Sequence, residues 1–160
     1  MSTSLTGAEI ILNTLKDEGV EYVFGVPGST EVPLLHKMAQ TPEIKYILAA
    51  HESVCVGMAD GYARTSGKVG VAMAHTFQGT ANVIGNLYNA NRGGAPLLVI
   101  AGTQNSALEH IDPLLDLDLE PLVRNLVKGY WKVARIQDLP ILLSRALKEA
   151  CTLPTGPVFL

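Results

Sequence analysis

YILAAHESVCVGMADGYAR, the stretch at residues 46–64, decides the fold because a short apolar run passes here directly into a helical pattern. The run Tyr46–Ala50 is too brief for a helix and has the length of a strand buried on both faces. From His51 the spacing is helical until Gly67 provides a stop signal. A single carboxylate, Glu52, stands where strand becomes helix, and we expect the rest of the chain to support it.

The predicted helix carries a stripe of small residues. Ser53, Gly57 and Gly61 recur every four residues and therefore share one face of the helix. Each glycine costs roughly 1 kcal/mol relative to alanine inside a helix, so a stripe with two of them needs a reason. We expect close approach by another element, which is either a partner subunit or the chain's own sheet.

The chain has the size and composition of one folded domain. Of its 160 residues 48% are hydrophobic and 17% charged, so we expect a sizeable core. A net charge of -3 gives no reason to expect a nucleic-acid or membrane partner. Cys55 and Cys151 lack ligand-like spacing to each other or to the four histidines, which argues against a zinc site or a disulfide framework. The first ten residues lack a signal-peptide pattern and no apolar run has membrane-spanning length, so a cytoplasmic location is expected.

Apolar runs alternate with helical segments along the chain. Six strands are predicted, at residues 21–25, 46–50, 68–74, 96–101, 131–134 and 156–160. Helices are predicted at residues 6–19, 30–41, 51–66, 80–92 and 140–152, with another within 114–127 and a turn at 75–79. The alternation predicts an α/β fold, a three-layer, doubly wound parallel sheet with helices on both faces. Because the chain ends on an apolar run, residues 1–160 are interpreted as a single domain cut from a longer chain.

Four segments should meet at one edge of this sheet. In open parallel sheets, ligands bind beyond the carboxyl ends of the strands. The segments that follow predicted strands are residues 27–29, 51–53, 75–79 and 102–104. We expect the site of the protein there.

The segments at this edge resemble a known family. FGVPGSTE, AAHESVCVGMADGYAR, HTFQGTANVIGNL, APLLVIAG and TGPVFL, in this order and spacing, resemble the N-terminal pyrimidine-binding domain of thiamine-diphosphate-dependent enzymes. The likeness covers essentially the whole chain. Within the family it is nearest to benzoylformate decarboxylase and related 2-keto acid decarboxylases, because of GxPGSxE, the histidine that ends the third strand, and GTxN. Acetolactate synthases share the glutamate and the fold but usually have a different turn where His75 stands.

The resemblance implies roles for three residues. Glu52 matches the catalytic glutamate that hydrogen-bonds a ring nitrogen of the cofactor's aminopyrimidine, whereas without the family pattern it would be an exposed helix cap. His75 matches a catalytic and substrate-binding histidine that exchanges protons with groups derived from the substrate, and the alternative is a histidine of the core or of a subunit contact. Ser29 matches a serine that contacts the substrate carboxylate, although a serine after Pro-Gly is also an ordinary helix cap.

The resemblance also implies a site completed by another subunit. Thiamine diphosphate is expected to contact Glu52 and residues of the two neighbouring loops, which are Pro27, Gly28, Thr76 and Gln78. In the family, Mg²⁺ is bound by a separate diphosphate-binding domain that carries Gly-Asp-Gly, a sequence that does not occur here. That domain is expected from the other subunit of a homodimer or tetramer, with a small 2-keto acid as substrate. The isolated chain is therefore expected to be inactive.

Other interpretations remain open from the sequence. A nucleotide-binding or flavodoxin-like module would share the architecture, but neither GxGxxG nor a Walker pattern occurs. A carboligase like acetolactate synthase is the main alternative, and a bound flavin would favour it. A free-standing subunit or a catalytically silent interaction domain is also possible. The residues Thr76, Phe77 and Gln78 are bulkier than the family pattern, which leaves the substrate open.

Five further polar residues receive weaker interpretations. Asn82, Asn86 and Asn89 put amides on one helical face that meets either a partner subunit or solvent. His51 is expected to be a surface neighbour of the helix start, and His110 has no partner histidine in the sequence. Neither histidine is assigned a role.

Overall fold

The structure is a computed structural model that describes residues 5–160, except for the side chains of residues 106 and 109. A six-stranded parallel sheet forms its middle layer. Residues 1–4, which begin the segment examined for a signal peptide, lie outside the described residues. The strands are β1 (Tyr22–Gly25), β2 (Lys45–Leu48), β3 (Gly70–His75), β4 (Leu97–Gly102), β5 (Gly129–Tyr130) and β6 (Pro157–Phe159). Their order across the sheet is β2-β1-β3-β4-β6-β5. Every neighbouring pair is parallel.

Helices cover both faces of the sheet and confirm the predicted three-layer α/β architecture. They are α1 (Gly7–Asp17), α2 (Val32–Met38), α3 (Glu52–Ser66), α4 (Thr76–Gly93), α5 (Glu120–Val123) and α6 (Leu139–Cys151). One core lies beneath α1, α2 and α6 and includes Val71 and Met73 of β3. The other lies beneath α3, α4 and α5 and includes Ala72 and Ala74. The alternating side chains of β3 therefore fill both cores.

The helix boundaries follow local signals in the sequence. Thr6 and Glu9 form a reciprocal capping box at the start of α1. Gly67 and Gly94 end α3 and α4 in the left-handed conformation, with φ of 71° and 65°. Such φ values favour glycine because it has no Cβ to clash with the backbone. No helix within residues 5–160 combines the length and the apolarity needed to cross a membrane.

The predicted turn at residues 75–79 is wrong, because α4 begins at Thr76 directly after β3. One residue makes the whole change of direction, since Thr76 adopts a φ of 49°. A β-branched residue rarely takes this conformation, so the sequence carried no signal for so short a junction.

Two strand predictions also need correction. The run at residues 46–50 forms β2, but β2 is an edge strand and Leu48 is 67% exposed, so it is not buried on both faces. The last edge strand lies at Gly129–Tyr130 rather than at residues 131–134. Trp131 still donates a backbone hydrogen bond to Phe159, where the partner strand β6 ends. Trp131 and Val133 then pack against the core without strand pairing.

The helix predicted within residues 114–127 is confirmed and is short. It consists of α5 and one 3-10 turn at Arg124–Leu126. Val123 of α5 is fully buried, so this short segment still covers the sheet.

We expect Leu143→Ala to lower the free energy of unfolding by about 2 to 5 kcal/mol, because Leu143 of α6 has no exposed surface and its loss leaves a cavity. Ile141→Ala in the same helix is the matched control, since Ile141 is 71% exposed. Its effect should stay within about 0.5 kcal/mol. Chemical denaturation of both variants measures the difference, and equal losses would contradict the packing of α6.

The two cysteines should differ in reactivity. Cys55 is fully buried in α3, and burial, with the nearby charge of Glu52, raises the pKa of its thiol to about 11. Cys151 is exposed. At about pH 8 the Cys55 thiol is almost entirely protonated and shielded, so it should not attack a disulfide reagent. Titration should count one thiol in the native chain, none in Cys151→Ser, and two in denaturant; two native thiols would be inconsistent with this burial.

Candidate functional site

The carboxyl ends of β1, β3 and β4 meet at one edge of the sheet, where the sequence predicts the site. Gly25 of β1 pairs in register with Met73 of β3, and His75 pairs with Gly102 of β4. Gly28, just after β1, lies so close to the ring of His75 that a Cβ there would overlap it. The loop after β1 and the end of β3 are therefore in direct contact.

Glu52 is the first residue of α3 and is half-buried at this edge. Its Oε2 accepts a hydrogen bond from Nδ2 of Asn82 at 2.9 Å. Within residues 5–160, Oε1 accepts none. A Cβ added to Gly79 of α4 would lie 3.2 Å from Oε1, so the glycine keeps this side of the carboxylate free of side chains. The amino end of a helix favours a negative charge at this position.

The start of α3 is set by His51, for which the sequence predicted only a surface position. His51 is extended, with φ of -160°, and its Nδ1 accepts a hydrogen bond from the backbone N–H of Ser53 at 3.2 Å. This bond satisfies one of the free N–H groups at the helix start. His51 is therefore the N-cap that fixes where Glu52 projects.

Asn86 joins α4 to the small-residue stripe of α3, so the helical face predicted to meet a partner subunit or solvent also contacts the chain's own α3. Nδ2 of Asn86 donates to the carbonyl oxygen of Ser53 at 2.7 Å and lies 2.9 Å from its Oγ. A Cβ at Gly57 would lie 3.3 Å from the same Nδ2, so the glycine admits the amide. Around Gly61, apart from its chain neighbours and the nearby backbone of α3, no described atom lies within 4 Å of an added Cβ. Helix α4 therefore packs against the Ser53 and Gly57 end of the stripe. Contact between a partner subunit and the Gly61 end stays a prediction.

His75 is the last residue of β3, and its side chain is 21% exposed. Strand alternation places it on the side of Met73, whereas Glu52 belongs to the helix on the opposite face. Its Nδ1 lies 2.9 Å from Oε2 of Glu31 and 3.3 Å from Oγ1 of Thr30. Glu52 and His75 therefore reach the same edge from opposite faces of the sheet.

The remaining predicted contacts occupy different environments. Ser29 and Pro27 are exposed, and Ser29 begins a 3-10 turn at Ser29–Glu31 without a side-chain cap bond. Thr76 is only 1% exposed, and its Oγ1 donates to Oε1 of Gln78 at 3.5 Å. Gln78 itself is exposed. Their roles in binding a cofactor or substrate stay predictions.

Glu31 is the residue that sequence reasoning missed. It lies in the motif GVPGSTE, but an acid three residues after a Pro-Gly turn usually indicates a capping position on the surface. In the structure it is only 5% exposed and contacts His75. Its spacing of three residues from Gly28, whose N–H it accepts, indicates only the cap, and no local signal indicates the contact with His75, which lies 44 residues away.

Two further features describe the chemistry available at the edge. The Tyr46 hydroxyl is buried beside Gly25 with no hydrogen-bond partner in residues 5–160, and burial raises the pKa of this phenol. An apolar cavity of about 310 Å³ extends from Glu31 and Gly102 to Trp131. Within the described part of the chain, no group of three or more His, Cys, Asp or Glu side chains is placed to hold a metal ion.

Comparison with known proteins identifies relatives of the whole chain. A family model described as thiamine pyrophosphate enzyme, N-terminal TPP binding domain, matches residues 5–123. The acetolactate synthase large subunit of Haemophilus influenzae is 37% identical over 96% of this chain and 27% of its own length. Benzoylformate decarboxylase of Pseudomonas aeruginosa is 38% identical over 91% of this chain and 28% of its own. The chain thus spans roughly a quarter of the length of the curated relatives that it matches.

A solved structure agrees with these matches. The thiamine diphosphate-dependent 4-hydroxybenzoylformate decarboxylase of Rhodococcus jostii RHA1 superposes with a TM-score of 0.91 at 31% identity. The alignment covers 97% of this chain and 29% of that one. Both sequence and fold therefore indicate the same relatives.

Gly79→Ala and Gly85→Ala form a matched pair in α4 that tests the packing around Glu52. Gly85→Ala should stabilise the chain by about 1 kcal/mol, because alanine favours a helix and its Cβ meets no atom within 4 Å. In Gly79→Ala the Cβ would lie 3.1 Å from the backbone of Ala74 and 3.2 Å from Glu52 Oε1, so the gain should be lost. Urea unfolding of both variants measures this, and an equal gain would mean that Glu52 does not lie over Gly79.

Proposed function

Because the chain belongs to the thiamine pyrophosphate enzymes, as their N-terminal TPP binding domain, we propose that it forms the pyrimidine-binding half of a 2-keto acid decarboxylase. The proposal depends on one observation above all. Glu52, half-buried at the carboxyl edge of the sheet, keeps Oε1 without a hydrogen-bond partner in residues 5–160, while Asn82 holds its Oε2.

This environment fits a heterocyclic ring. A carboxyl oxygen without a partner can accept or donate one hydrogen bond to a ring nitrogen. Gly79 leaves the space beside Oε1 open, and Asn82 fixes the orientation of the carboxyl group. Glu52 would therefore hold a proton between Oε1 and the pyrimidine nitrogen of thiamine diphosphate, with Pro27, Gly28, Thr76 and Gln78 as further proposed contacts.

When bound, the cofactor supplies a thiazolium carbon that adds to the keto group of the substrate and accepts the electrons released as carbon dioxide leaves. His75 is the proposed proton carrier for the substrate, because an imidazole exchanges protons near neutral pH. Only Nδ1 of its ring is hydrogen-bonded within residues 5–160, so Nε2 is available to a substrate. Ser29, exposed on the neighbouring loop, is the proposed contact for the substrate carboxylate.

The proposed site needs a second domain. The residues described here offer no cluster of three metal-ligating side chains. We therefore propose that Mg²⁺ and the diphosphate are held by the diphosphate-binding domain of another subunit, in a homodimer or tetramer. The exposed Gly61 of the small-residue stripe is a candidate contact for that subunit. A reducing cytoplasm is the proposed location, in keeping with the free thiols of Cys55 and Cys151.

Acetolactate synthase-like carboligation is the second candidate function. It is favoured by the identity of 37% with the acetolactate synthase large subunit over 96% of this chain. His75, at the end of β3 and in contact with the GVPGSTE loop, favours the decarboxylase. The two functions differ in the fate of the substrate fragment that remains after carbon dioxide leaves. In a decarboxylase this fragment takes up a proton, and in a carboligase it adds to the keto carbon of a second keto acid.

Glu52→Gln should lower turnover by about 10² to 10⁴-fold, the usual contribution of a positioned proton-transfer group. The assay uses the complete protein with Mg²⁺ and thiamine diphosphate, and follows carbon dioxide release from aromatic and aliphatic 2-keto acids. Glu43→Gln is the control, because Glu43 pairs with Lys16 on the surface and its side chain is 54% exposed. Unchanged turnover in Glu52→Gln would remove the proposed role of this carboxylate.

His75→Ala separates the two candidate functions. In a decarboxylase of the proposed type, His75→Ala should also lose turnover by about 10² to 10⁴-fold. If Glu52→Gln is inactive and His75→Ala is fully active, the family assignment stands and the decarboxylase subclass fails. Formation of a carboligation product from two keto acids, with bound flavin, would then support the acetolactate synthase-like function.

A further inference from the structure

Glu31 is a buried carboxylate that the proposed function leaves without a role. Its side chain is 4% exposed, and its ion-pair partner within residues 5–160 is His75 rather than a lysine or arginine. An ionised carboxylate in such a position is costly unless donors surround it. The hydrogen-bond donors around Glu31 therefore indicate which role its carboxylate has.

Three donors satisfy the two oxygens of Glu31. Oε2 accepts from the backbone N–H of Gly28 at 2.9 Å and lies 2.9 Å from Nδ1 of His75. Oε1 accepts from Oγ1 of Thr30 at 2.5 Å. Among residues 5–160, one donor belongs to the 3-10 turn that carries Glu31, one is the N-cap residue just before that turn, and the third comes from a strand 44 residues away in sequence.

The ionised carboxylate determines which nitrogen of His75 holds a proton. A carboxylate can only accept hydrogen bonds, so Nδ1 must be the donor at 2.9 Å from Oε2. When the imidazole is neutral, its lone pair is then on Nε2. Nε2 has no hydrogen bond to residues 5–160 and is the nitrogen available for exchange with a ligand.

Glycines make room for this pair. A Cβ on Gly28 would overlap the imidazole of His75, and a Cβ on Gly102 would overlap Oε1 of Glu31. Gly102 also pairs in register with His75 across β3 and β4. The ring and the carboxylate are therefore packed against backbone, which limits their movement.

We propose that Glu31 is the positioning residue of His75: it keeps the proton on Nδ1, so that His75 exchanges protons with the substrate through Nε2. This inference rests on the proposed function, in which His75 is the proton carrier. Glu31 acts through His75 and does not itself contact the substrate. This role is best tested by Glu31→Leu, which removes the acceptor of Nδ1 and lets the neutral ring take the Nε2–H form that an unconstrained histidine prefers. The amide is a poor test, because its oxygen at the position of Oε2 would still accept from Gly28 and from Nδ1.

The direct test is the tautomer of His75 in the chain labelled with ¹⁵N-histidine. Two-bond couplings from the ring nitrogens to the carbon-bound protons distinguish Nδ1 from Nε2, and His75→Asn identifies the signals among the four histidines. As the pH is raised, the wild-type ring should lose its proton from Nε2 and keep it on Nδ1. Loss from Nδ1 would overturn the proposal, whether or not any variant folds.

Glu31→Leu should move the proton from Nδ1 to Nε2, because Nδ1 then lacks its carboxylate acceptor, while Glu43→Gln on the surface should leave the tautomer unchanged. The amide N–H correlation spectrum of Glu31→Leu shows whether the remaining fold is preserved. A folded variant that keeps the proton on Nδ1 would contradict the positioning role. If the variant does not fold, the wild-type spectrum decides the question.

Kinetics of the complete protein supply the second readout. Glu31→Leu should lower kcat by about 10² to 10⁴-fold with little change in KM, because the substrate is still bound but Nε2 no longer carries the free lone pair for proton transfer. An unchanged kcat in a variant with the reversed tautomer would overturn the link from Glu31 to catalysis. If His75→Ala is fully active, the proposed function fails instead, and the tautomer measurement still stands on its own.

Discussion

The in-register pairing of β3 with both its neighbours is the constraint on which the edge of this sheet depends. Residues 70–74 of β3 are buried, and their side chains fill the two cores alternately. A shift of one residue would turn each side chain of β3 from its own core into the opposite core. Register therefore fixes His75 opposite Gly102, at the height where the loop after β1 delivers Gly28.

The same strand also determines where α4 begins. Thr76 turns the chain from β3 into α4 within one residue, at a positive φ that costs about 1 to 3 kcal/mol for a side chain of this type. A looser junction would start the helix later and move Gly79 and Asn82 away from Glu52. The buried side chain of Thr76 and the hydrogen bond from Oγ1 of Thr80 to its carbonyl oxygen hold the strained residue in place.

The sequence predicted the alternation of strands and helices and the position of Glu52 at a strand-to-helix junction, because these depend on local spacing. The position of His75 at the end of the third strand came from the family resemblance, since spacing alone put His75 in a turn. The sequence did not predict the edge position of β2, since strand order is set by packing between distant segments. Nor did it predict the role of Glu31, whose partner lies 44 residues away. The sequence also did not predict the one-residue turn at Thr76, because a positive φ is rare for threonine and no local signal indicates it.

Glu31 and Glu52 lie at the same edge of the sheet but differ in the number of hydrogen-bond donors around them. This difference gives the two carboxylates different chemical properties. Glu31 is buried with a donor on Oε1 and two on Oε2, so its charge is fully engaged by the protein. Glu52 is half-exposed, and within the described part of the chain its donor is Asn82, on one oxygen. A carboxylate whose hydrogen bonds are all satisfied stabilises a fixed arrangement, whereas one with a free oxygen can bind a ligand or exchange a proton. Each glutamate thus has an environment suited to one of these tasks, Glu31 to holding the ring of His75 and Glu52 to accepting a further hydrogen bond.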